Sequence, residues 1–217
     1  MKQNLTELVF ILDKSGSMTG LEKDTIGGFN SMLEKQKKVD GGCRVTTLLF
    51  DNRYELLHDR IDLQAVQPLT DKDYEPGGST ALLDAIGRTI HKIGAVQRHT
   101  AGAYRASHVL FVIITDGEEN SSREYTGRKI KEMIERQKSE YGWEFVFLGA
   151  NIDAVATAEE FGIGPECAAD YVADKEGTEL NFRVMGDALK MFREEGRFSS
   201  DSLDPIRKDR KKRGGRH

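Results

Sequence analysis

The stretch "LVFILDKSGSMTG" (residues 8–20) passes from continuous apolar residues to a polar segment without a break. Its apolar half is typical of a strand that is buried on both faces of a sheet. Its polar half brings together an acid, a lysine and two serines that one glycine separates. An ordinary connection also needs polar residues and a glycine. The segment therefore becomes informative only if hydroxyls and carboxylates from other segments lie beside it.

Further apolar runs predict the rest of the sheet. Strands are expected at "ELVFIL" (7–12), "RVTTLLF" (44–50), "VLFVII" (109–114) and "EFVFLGA" (144–150), with weaker signals at "YELLHDRIDL" (54–63) and "CAADYVA" (167–173). Only "DNR" separates the strands at 44–50 and 54–63. We therefore expect these two to form an antiparallel hairpin at an edge of the sheet.

Amphipathic segments lie between the apolar runs. Apolar residues recur at helical spacing from Met18 to Leu33, Leu82 to Ile93, Ile130 to Ile134, Val155 to Phe161 and Leu180 to Phe192. Strands that alternate with helices predict a mainly parallel sheet covered by helices on both faces. The fold class is therefore α/β, a three-layer doubly wound sheet.

Composition limits the class of protein. The chain has 217 residues, of which 38% are hydrophobic and 31% charged, a balance that indicates a soluble globular protein with one domain. No apolar stretch reaches the roughly 18 residues of a membrane span, and the N-terminal segment lacks the apolar core of a signal peptide. Cys43 and Cys167 are too few for a disulfide framework. We predict free thiols and a cytoplasmic protein that does not bind membranes.

Charge is unevenly distributed along the chain. The net charge is −4, and residues 207–217 contribute seven Lys or Arg and one Asp, so the preceding residues carry about −10. We predict a domain over residues 1–198 and a basic, disordered tail over residues 199–217. An acidic body argues against a broad nucleic-acid-binding face, which leaves only weak binding through the tail.

Three polar segments are expected to meet at one edge of the sheet. Ligands of open α/β sheets bind at the carboxyl ends of the strands, near the point where strand order reverses. The first strand and the strand at 109–114 each end in an acid, and "EPGGSTALLDAIG" (75–87) places hydroxyls at the start of a helix. The candidate residues are Asp13, Ser15, Ser17, Thr80 and Asp116, with Ser79 beside Thr80.

The chemistry of this set favours a hard divalent cation. Oxygen ligands alone suit Mg²⁺ or Mn²⁺, with Ca²⁺ as a further candidate. Two adjacent carboxylates without a positive partner repel each other, and a cation relieves that repulsion. Hydroxyl ligands are neutral, so the ion keeps its attraction for an incoming carboxylate. The pattern predicts a recognition device that binds an Asp or Glu of a partner protein.

The same segments resemble a known family. "DKSGS" matches the D-x-S-x-S motif of von Willebrand factor type A (VWA) domains, "GGSTALLDAI" resembles the segment that carries the family's metal-binding threonine, and "IITDGEEN" resembles its last aspartate loop. The resemblance spans residues 5 to about 195. It implies that Asp13, Ser15, Ser17, Thr80 and Asp116 form a metal-ion-dependent adhesion site, and that the Rossmann-like sheet has one antiparallel edge strand. The chain looks most like intracellular bacterial members, including relatives of tellurium-resistance proteins.

Structural roles remain open for the same residues. Ser15 and Ser17 could cap the first helix, and Ser79 or Thr80 the second. Asp116 could be a turn residue before Gly117. We expect Glu118, Glu119 and Asn120 to form a solvated loop, with the rim of the site or a second cation as the alternative. Asn151 and Asp153 are expected to cap the helix that follows them.

Motifs of several enzyme classes are absent from the sequence. It contains no G-x-S-x-G elbow, no phosphate-binding G-x-x-x-x-G-K-[ST] loop, and no G-x-G-x-x-G after the first strand. A Mg²⁺- or Mn²⁺-dependent phosphate-ester hydrolase stays open as the alternative, because a bound cation can activate water. No convincing general base accompanies the site. We therefore expect a metal-dependent protein-binding module and no enzyme.

Overall fold

A single six-stranded sheet forms the centre of the protein. The computed structural model describes residues 5–213. The strands are β1 (Thr6–Asp13), β2 (Cys43–Phe50), β3 (Tyr54–Asp62), β4 (His108–Thr115), β5 (Glu144–Gly149) and β6 (Ala168–Asp170). Their order is β3-β2-β1-β4-β5-β6, and every neighbouring pair is parallel except β2 and β3. The predicted fold class and the antiparallel edge hairpin are confirmed.

Helices cover both faces of the sheet. They are α1 (Glu22–Gln36), α2 (Leu82–His99), α3 (Gly127–Tyr141), α4 (Ala154–Glu160), α5 (Lys175–Glu195) and α6 (Asp204–Arg213). A short 3-10 turn over Gly16–Met18 follows β1. The first five helices lie where the helical spacing predicts them. Within residues 5–213, no helix is both long enough and apolar enough to cross a membrane.

The alternation of side chains along β1 explains the three layers. Leu8, Phe10 and Leu12 belong to the core beneath α1 and α5, whereas Val9 and Ile11 belong to the core beneath α2 and α3. All eight residues of β1 are buried, which is why the strand is continuously apolar from Leu8 to Leu12. Burial of such a side chain stabilises the fold by about 1.5–3 kcal/mol.

Local signals set the ends of the helices. Asp153 accepts a hydrogen bond from the Ala156 amide at 2.9 Å, so its predicted role as a cap of α4 is confirmed. Asp174 caps α5 in the same way through the Gly177 amide at 2.7 Å. Helix α5 ends at Gly196, whose φ of +77° is a left-handed conformation that favours glycine.

Helix α6 corrects the prediction of a disordered basic tail over residues 199–217. Leu203 and Ile206 are buried in the core, so the segment is held by apolar contacts that its charge pattern concealed. The Arg207 guanidinium donates to the carbonyl oxygens of Pro165, Glu166 and Ala168, next to edge strand β6. The tail prediction is therefore wrong for residues 204–213. Residues 214–217 lie outside the described residues, and the domain limit at residue 198 stays a prediction.

Candidate metal centre

The reversal of strand order lies between β1 and β4 at the centre of the sheet. From β1 the chain continues to β2 and β3 on one side, and from β4 to β5 and β6 on the other. Asp13 is the last residue of β1, and Asp116 follows the last residue of β4. Both are buried, with exposed fractions of 1% and 2%. The structure therefore brings the two predicted acids together at the carboxyl edge of the sheet.

Neutral donors orient the Asp13 carboxylate. Its Oδ1 accepts from the Ser15 amide at 2.7 Å, and its Oδ2 accepts from the Thr115 hydroxyl at 2.6 Å. The Asp116 amide donates to the same Oδ2 at 3.3 Å. Sequence reasoning missed Thr115, although a polar residue at the end of an otherwise apolar strand was a signal. These bonds fix the direction of the carboxylate without adding positive charge.

Asp116 accepts a hydrogen bond from a side-chain amide, and its pKa is raised. Burial raises the pKa of Asp116 to about 6, the hydrogen bond from Asn151 opposes that rise, and the negative charge of Asp13 adds to it. The Asn151 side-chain amide donates to Asp116 Oδ1. Asn151 was predicted to be a helix cap, and this is wrong because Asp153 caps α4. Asn151 has a φ of +56°, a conformation that asparagine tolerates better than most residues.

No cation among the described residues neutralises this pair of acids. Within residues 5–213, neither Asp13 nor Asp116 forms a salt bridge with a lysine, arginine or histidine. Lys14 lies between Asp13 and Ser15 in sequence, but its ammonium group pairs with Glu55 instead. The edge of the sheet therefore carries two buried carboxyl groups and no compensating charge from the described part of the chain, an arrangement that favours a bound cation.

The predicted hydroxyls lie next to the acids. Ser15 Oγ and Ser17 Oγ are 3.0 Å apart. A β-carbon placed on Gly117 would lie 3.3 Å from Ser17 Oγ and 3.5 Å from Thr80 Oγ1. Both hydroxyls therefore converge on the residue that follows Asp116, and a side chain at Gly117 would enter their contact distance. Ser17 is exposed, whereas Ser15 and Thr80 are buried, so the set is open to solvent on the Ser17 side.

Helix capping does not explain these hydroxyls. Ser15 occupies the cap position of the 3-10 turn, yet its side chain bonds to no backbone amide of the described chain. The cap positions of α1 and α2 are Leu21 and Ala81, which have no side-chain acceptor. The first amides of α2 are satisfied from another loop, where Glu119 accepts from the Leu83 amide at 2.9 Å.

The loop after Asp116 holds the threonine segment in place. The Asn120 amide donates to the Thr80 carbonyl at 3.0 Å, and Asn120 Oδ1 accepts from the Thr80 amide at 2.9 Å. Glu119 also accepts from the amides of Ser121 and Ser122. Glu119 and Asn120 are accessible to solvent, as predicted, but they also hydrogen-bond to the threonine segment. They fix the position of Thr80 relative to Asp116.

The residues present fit a hard cation. The described residues contain no group of three or more His, Cys, Asp or Glu side chains arranged to hold a metal. An ion at this edge would therefore depend on the hydroxyls as well as the two acids. Such an all-oxygen set matches the preference of Mg²⁺ and Mn²⁺, and it lacks the nitrogen and sulfur ligands that predominate in zinc sites.

Comparisons with solved structures identify the architecture. The chain superimposes on the vWF domain of the type V pili tip protein Mfa5 from Porphyromonas gingivalis with a TM-score of 0.61 and 10% identity, covering 91% of this chain and 99% of that one. Proximal thread matrix protein 1 (PTMP1) from the mussel byssus matches with a TM-score of 0.59 and 12% identity, over 88% of this chain and 47% of that one. The chain has the von Willebrand factor type A fold.

Two further solved structures share this fold, and one of them contains a metal. A von Willebrand factor type A protein from Catenulispora acidiphila matches with a TM-score of 0.55 and 13% identity, over 86% of this chain and 42% of that one. PTMP1 has also been solved with a zinc-occupied MIDAS motif, the metal-ion-dependent adhesion site. This chain spans less than half of the length of the PTMP1 and Catenulispora structures. No family model and no curated protein matches its sequence.

Proposed function

We propose that this VWA-fold chain is a metal-dependent protein-binding module. The observation that carries the proposal is the pair of buried acids, Asp13 and Asp116, which face neutral hydroxyls and have no cation of the described chain beside them. A zinc-occupied site in PTMP1, which has the same fold, supports metal binding at this edge. A buried pair of this kind would be costly if its only role were structural.

The proposed ion would be held by five residues. Ser15, Ser17 and Thr80 would supply hydroxyl oxygens, and Asp13 and Asp116 would bind directly or through water. Mg²⁺ is the ion that we propose, with Mn²⁺ or Ca²⁺ as alternatives, because the donors are hard oxygens. Asn151 and Thr115 hydrogen-bond to the two carboxylates and so keep their orientation when the ion exchanges.

Recognition would occur on the open side of the site. A divalent cation with mainly neutral ligands retains positive charge and attracts a carboxylate, which we propose is an Asp or Glu of a partner protein. Ser17 is the exposed member of the set, while Ser15, Thr80 and both acids are buried. The partner's side chain would therefore approach past Ser17. Recognition would be charge-specific, since a neutral amide cannot replace the carboxylate's charge.

A metal-dependent phosphate-ester hydrolase is the second candidate. The observation that favours it is the pKa of Asp116, which burial raises to about 6, close to the value that suits a general base near neutral pH. Against it, Asp116 belongs to the proposed ligand set. The two thiols offer no activated nucleophile, because burial raises the pKa of Cys43 to about 12 and that of Cys167 to about 11.

The setting of the module is also a proposal. We propose a cytoplasmic protein of bacterial type, related to tellurium-resistance proteins, and two free cysteines support a reducing compartment. Basic residues on α6 leave room for weak contact with nucleic acid. Membrane contact is not part of the proposal.

Affinity capture tests the proposed function. The full chain, immobilised, is incubated with cell extract in Mg²⁺ or in chelator, and the retained proteins are identified by mass spectrometry. The variant Ser15→Ala/Ser17→Ala removes two proposed ligands, and Ser199→Ala/Ser200→Ala is a matched control away from the site. We expect partners that the wild type and the control retain only in Mg²⁺ and that the site variant loses.

Two results would contradict this proposal. One is capture that is identical in Mg²⁺ and in chelator. The other is turnover of a generic phosphate ester such as p-nitrophenyl phosphate with Mg²⁺ or Mn²⁺ that Asp13→Ala abolishes, which would establish the hydrolase instead. Replacement of each acidic residue of an identified partner by Asn or Gln then tests the carboxylate. One such change should abolish the Mg²⁺-dependent part of binding.

A further inference from the structure

A small enclosed cavity lies beneath Asp13, between the sheet and α5. Its volume is about 10 Å³, and its lining includes Asp13 and Met18, which belong to the segment that carries the candidate metal centre. Thr178 and Asn181 of α5 line it as well, together with Thr25 and Tyr171. The cavity therefore connects the first turns of α5 to the acid that ends β1.

The helix presents unpaired polar atoms to this cavity. Thr178 Oγ1 and both amide atoms of Asn181 are buried and have no hydrogen-bond partner among residues 5–213. Asn181 is 0% exposed and Thr178 is 2% exposed. The two polar residues lie at the start of the buried face of α5, which continues with the apolar residues Phe182, Met185 and Leu189.

Buried polar atoms without a hydrogen-bond partner are rare in native proteins. Buried side-chain amides in native proteins almost always have a hydrogen-bond partner, from the protein or from ordered water. A cavity of about 10 Å³ is close to the smallest that accommodates one water molecule, and it is too small for an organic ligand. Water needs two to four polar partners, and the lining of this cavity supplies them.

Tyr171 also lines the cavity. The Tyr171 hydroxyl donates to the Thr115 carbonyl at 3.4 Å, a long bond. Burial, with the negative charges of Asp116 and Asp13 nearby, raises the pKa of Tyr171 well above its usual value, so the hydroxyl stays protonated. The polar residues that line the cavity are thus Asp13, the hydroxyl-bearing Thr25, Tyr171 and Thr178, and Asn181.

We propose that an ordered water occupies this cavity and links Thr178 and Asn181 of α5 to Asp13. The two α5 residues are then positioning residues of the candidate metal centre, since they act on Asp13 through the water and do not reach the ion. The positioning role rests on the proposed function, whereas the water itself does not.

Three single substitutions in the full chain separate this role from simple packing. Asn181→Leu keeps a similar volume and removes both polar atoms. Asn181→Ser replaces the amide by a hydroxyl, which keeps a polar group and leaves room for a second water. Met185→Leu, on the same buried face of α5, is the matched control for a change in packing. Thr178→Val, which preserves shape, is the milder substitute if Asn181→Leu fails to fold.

High-resolution crystal structures of the metal-free proteins test the water. We expect density for one water within hydrogen-bond distance of Asn181 and Asp13 in the wild type and in Met185→Leu, and none in Asn181→Leu. A dry wild-type cavity, or an Asn181 amide bonded to another protein group, would overturn the proposal whether or not the protein binds metal.

Calorimetric titration with Mg²⁺ tests the positioning role. Loss of a group that orients a ligand typically weakens metal affinity about 10- to 100-fold, and we expect about 10-fold for Asn181→Leu. Asn181→Ser and Met185→Leu should stay within about twofold of the wild type. Equal affinity in Asn181→Leu and the wild type would overturn the positioning role. A wild type that binds no Mg²⁺ would refute the proposed function instead, and the crystal structures would still decide whether the water is present.

Discussion

Strand β1 carries a buried acid near each end, and the two are treated in opposite ways. Glu7, at the amino end, has a side chain that is 0% exposed and accepts two bonds from the Arg60 guanidinium at 2.7 and 2.8 Å. Gln97 adds a third donor at 3.0 Å. Asp13, at the carboxyl end, is almost as buried, but its donors are neutral and its neighbour Asp116 is a second acid.

This difference distinguishes a structural acid from a candidate functional one. The chain supplies the Arg60 guanidinium to Glu7, so the acid at the amino end of β1 has its counter-charge without a ligand. The other end places two carboxyl groups together and directs the nearest lysine, Lys14, to Glu55. Burial alone therefore does not indicate a site, whereas burial without a counter-charge does.

Removing the cation that pairs with Glu7 should have the largest effect on stability. Arg60→Ala leaves the Glu7 carboxylate buried without a cation, and we expect the free energy of unfolding to fall by about 3–5 kcal/mol in urea titrations. The double variant Glu7→Leu/Arg60→Met removes both charges and should be within about 1 kcal/mol of the wild type, since apolar replacement of a buried pair is often neutral. Similar losses in both variants would mean that packing, and not charge, is what Arg60 contributes.

Removing the Ser15 and Ser17 hydroxyls at the carboxyl end of β1 should weaken metal binding without much change in the stability of the fold. Ser15→Ala/Ser17→Ala is expected to weaken Mg²⁺ binding at least about 100-fold, or about 2.7 kcal/mol, as measured by calorimetry. In chelator, its free energy of unfolding should change by about 1 kcal/mol or less, because only one hydrogen bond between the side chains is lost. Unchanged Mg²⁺ affinity would refute the ligand assignment, and Ser199→Ala/Ser200→Ala serves as the control.

Neutralising Asp116 should stabilise the metal-free protein, whereas most substitutions are destabilising. Asp116→Asn removes the repulsion from Asp13 and keeps an oxygen that can accept from Asn151. We expect the metal-free protein to gain up to about 1 kcal/mol, allowing for screening by solvent, while the rise in melting temperature on adding Mg²⁺ shrinks. Thermal unfolding with and without chelator measures both. A variant that is less stable without metal but keeps the full Mg²⁺ response would place Asp116 outside the site.

The last expected effect is the dependence of stability on pH. Asp116 has a pKa of about 6 in the folded chain and an ordinary value of 3.8. Between these values the folded protein retains a proton that the unfolded chain has released, so in chelator the free energy of unfolding should fall as pH rises from about 4 to about 6. Burial also raises the pKa of Glu144, so the informative quantity is the difference between the wild type and Asp116→Asn. Parallel pH profiles for the two would contradict the assigned pKa.

The sequence predicted the sheet well because its strands are buried on both faces. Continuous apolar runs of strand length, separated by amphipathic segments, are typical of a parallel sheet with helices on each face. The position of Asp13 and Asp116 followed from a general rule about strand ends, which needs no knowledge of side-chain geometry. Both predictions depend on periodicity and chain order, which the sequence contains directly.

The partners of the site residues were harder to predict. Asn151 and Asn120 have sequence contexts typical of caps and loops, and their actual acceptors and donors lie 35 and 40 residues away along the chain. Nothing in local spacing indicates which distant loop meets which. Helix α6 was missed for a related reason, since two apolar residues among many charges fix it to a core that only the folded chain provides.

The Arg207 contacts have a consequence for the solubility of the folded protein. Strand β6 has only three residues and lies at the edge of the sheet, where unpaired backbone groups can recruit a strand from another molecule. By donating to the carbonyls of Pro165, Glu166 and Ala168, Arg207 occupies acceptors beside that edge. We therefore expect helix α6 to hinder edge-to-edge association of the sheet. A chain shortened before Leu203 should retain its Mg²⁺ response but self-associate as its concentration rises.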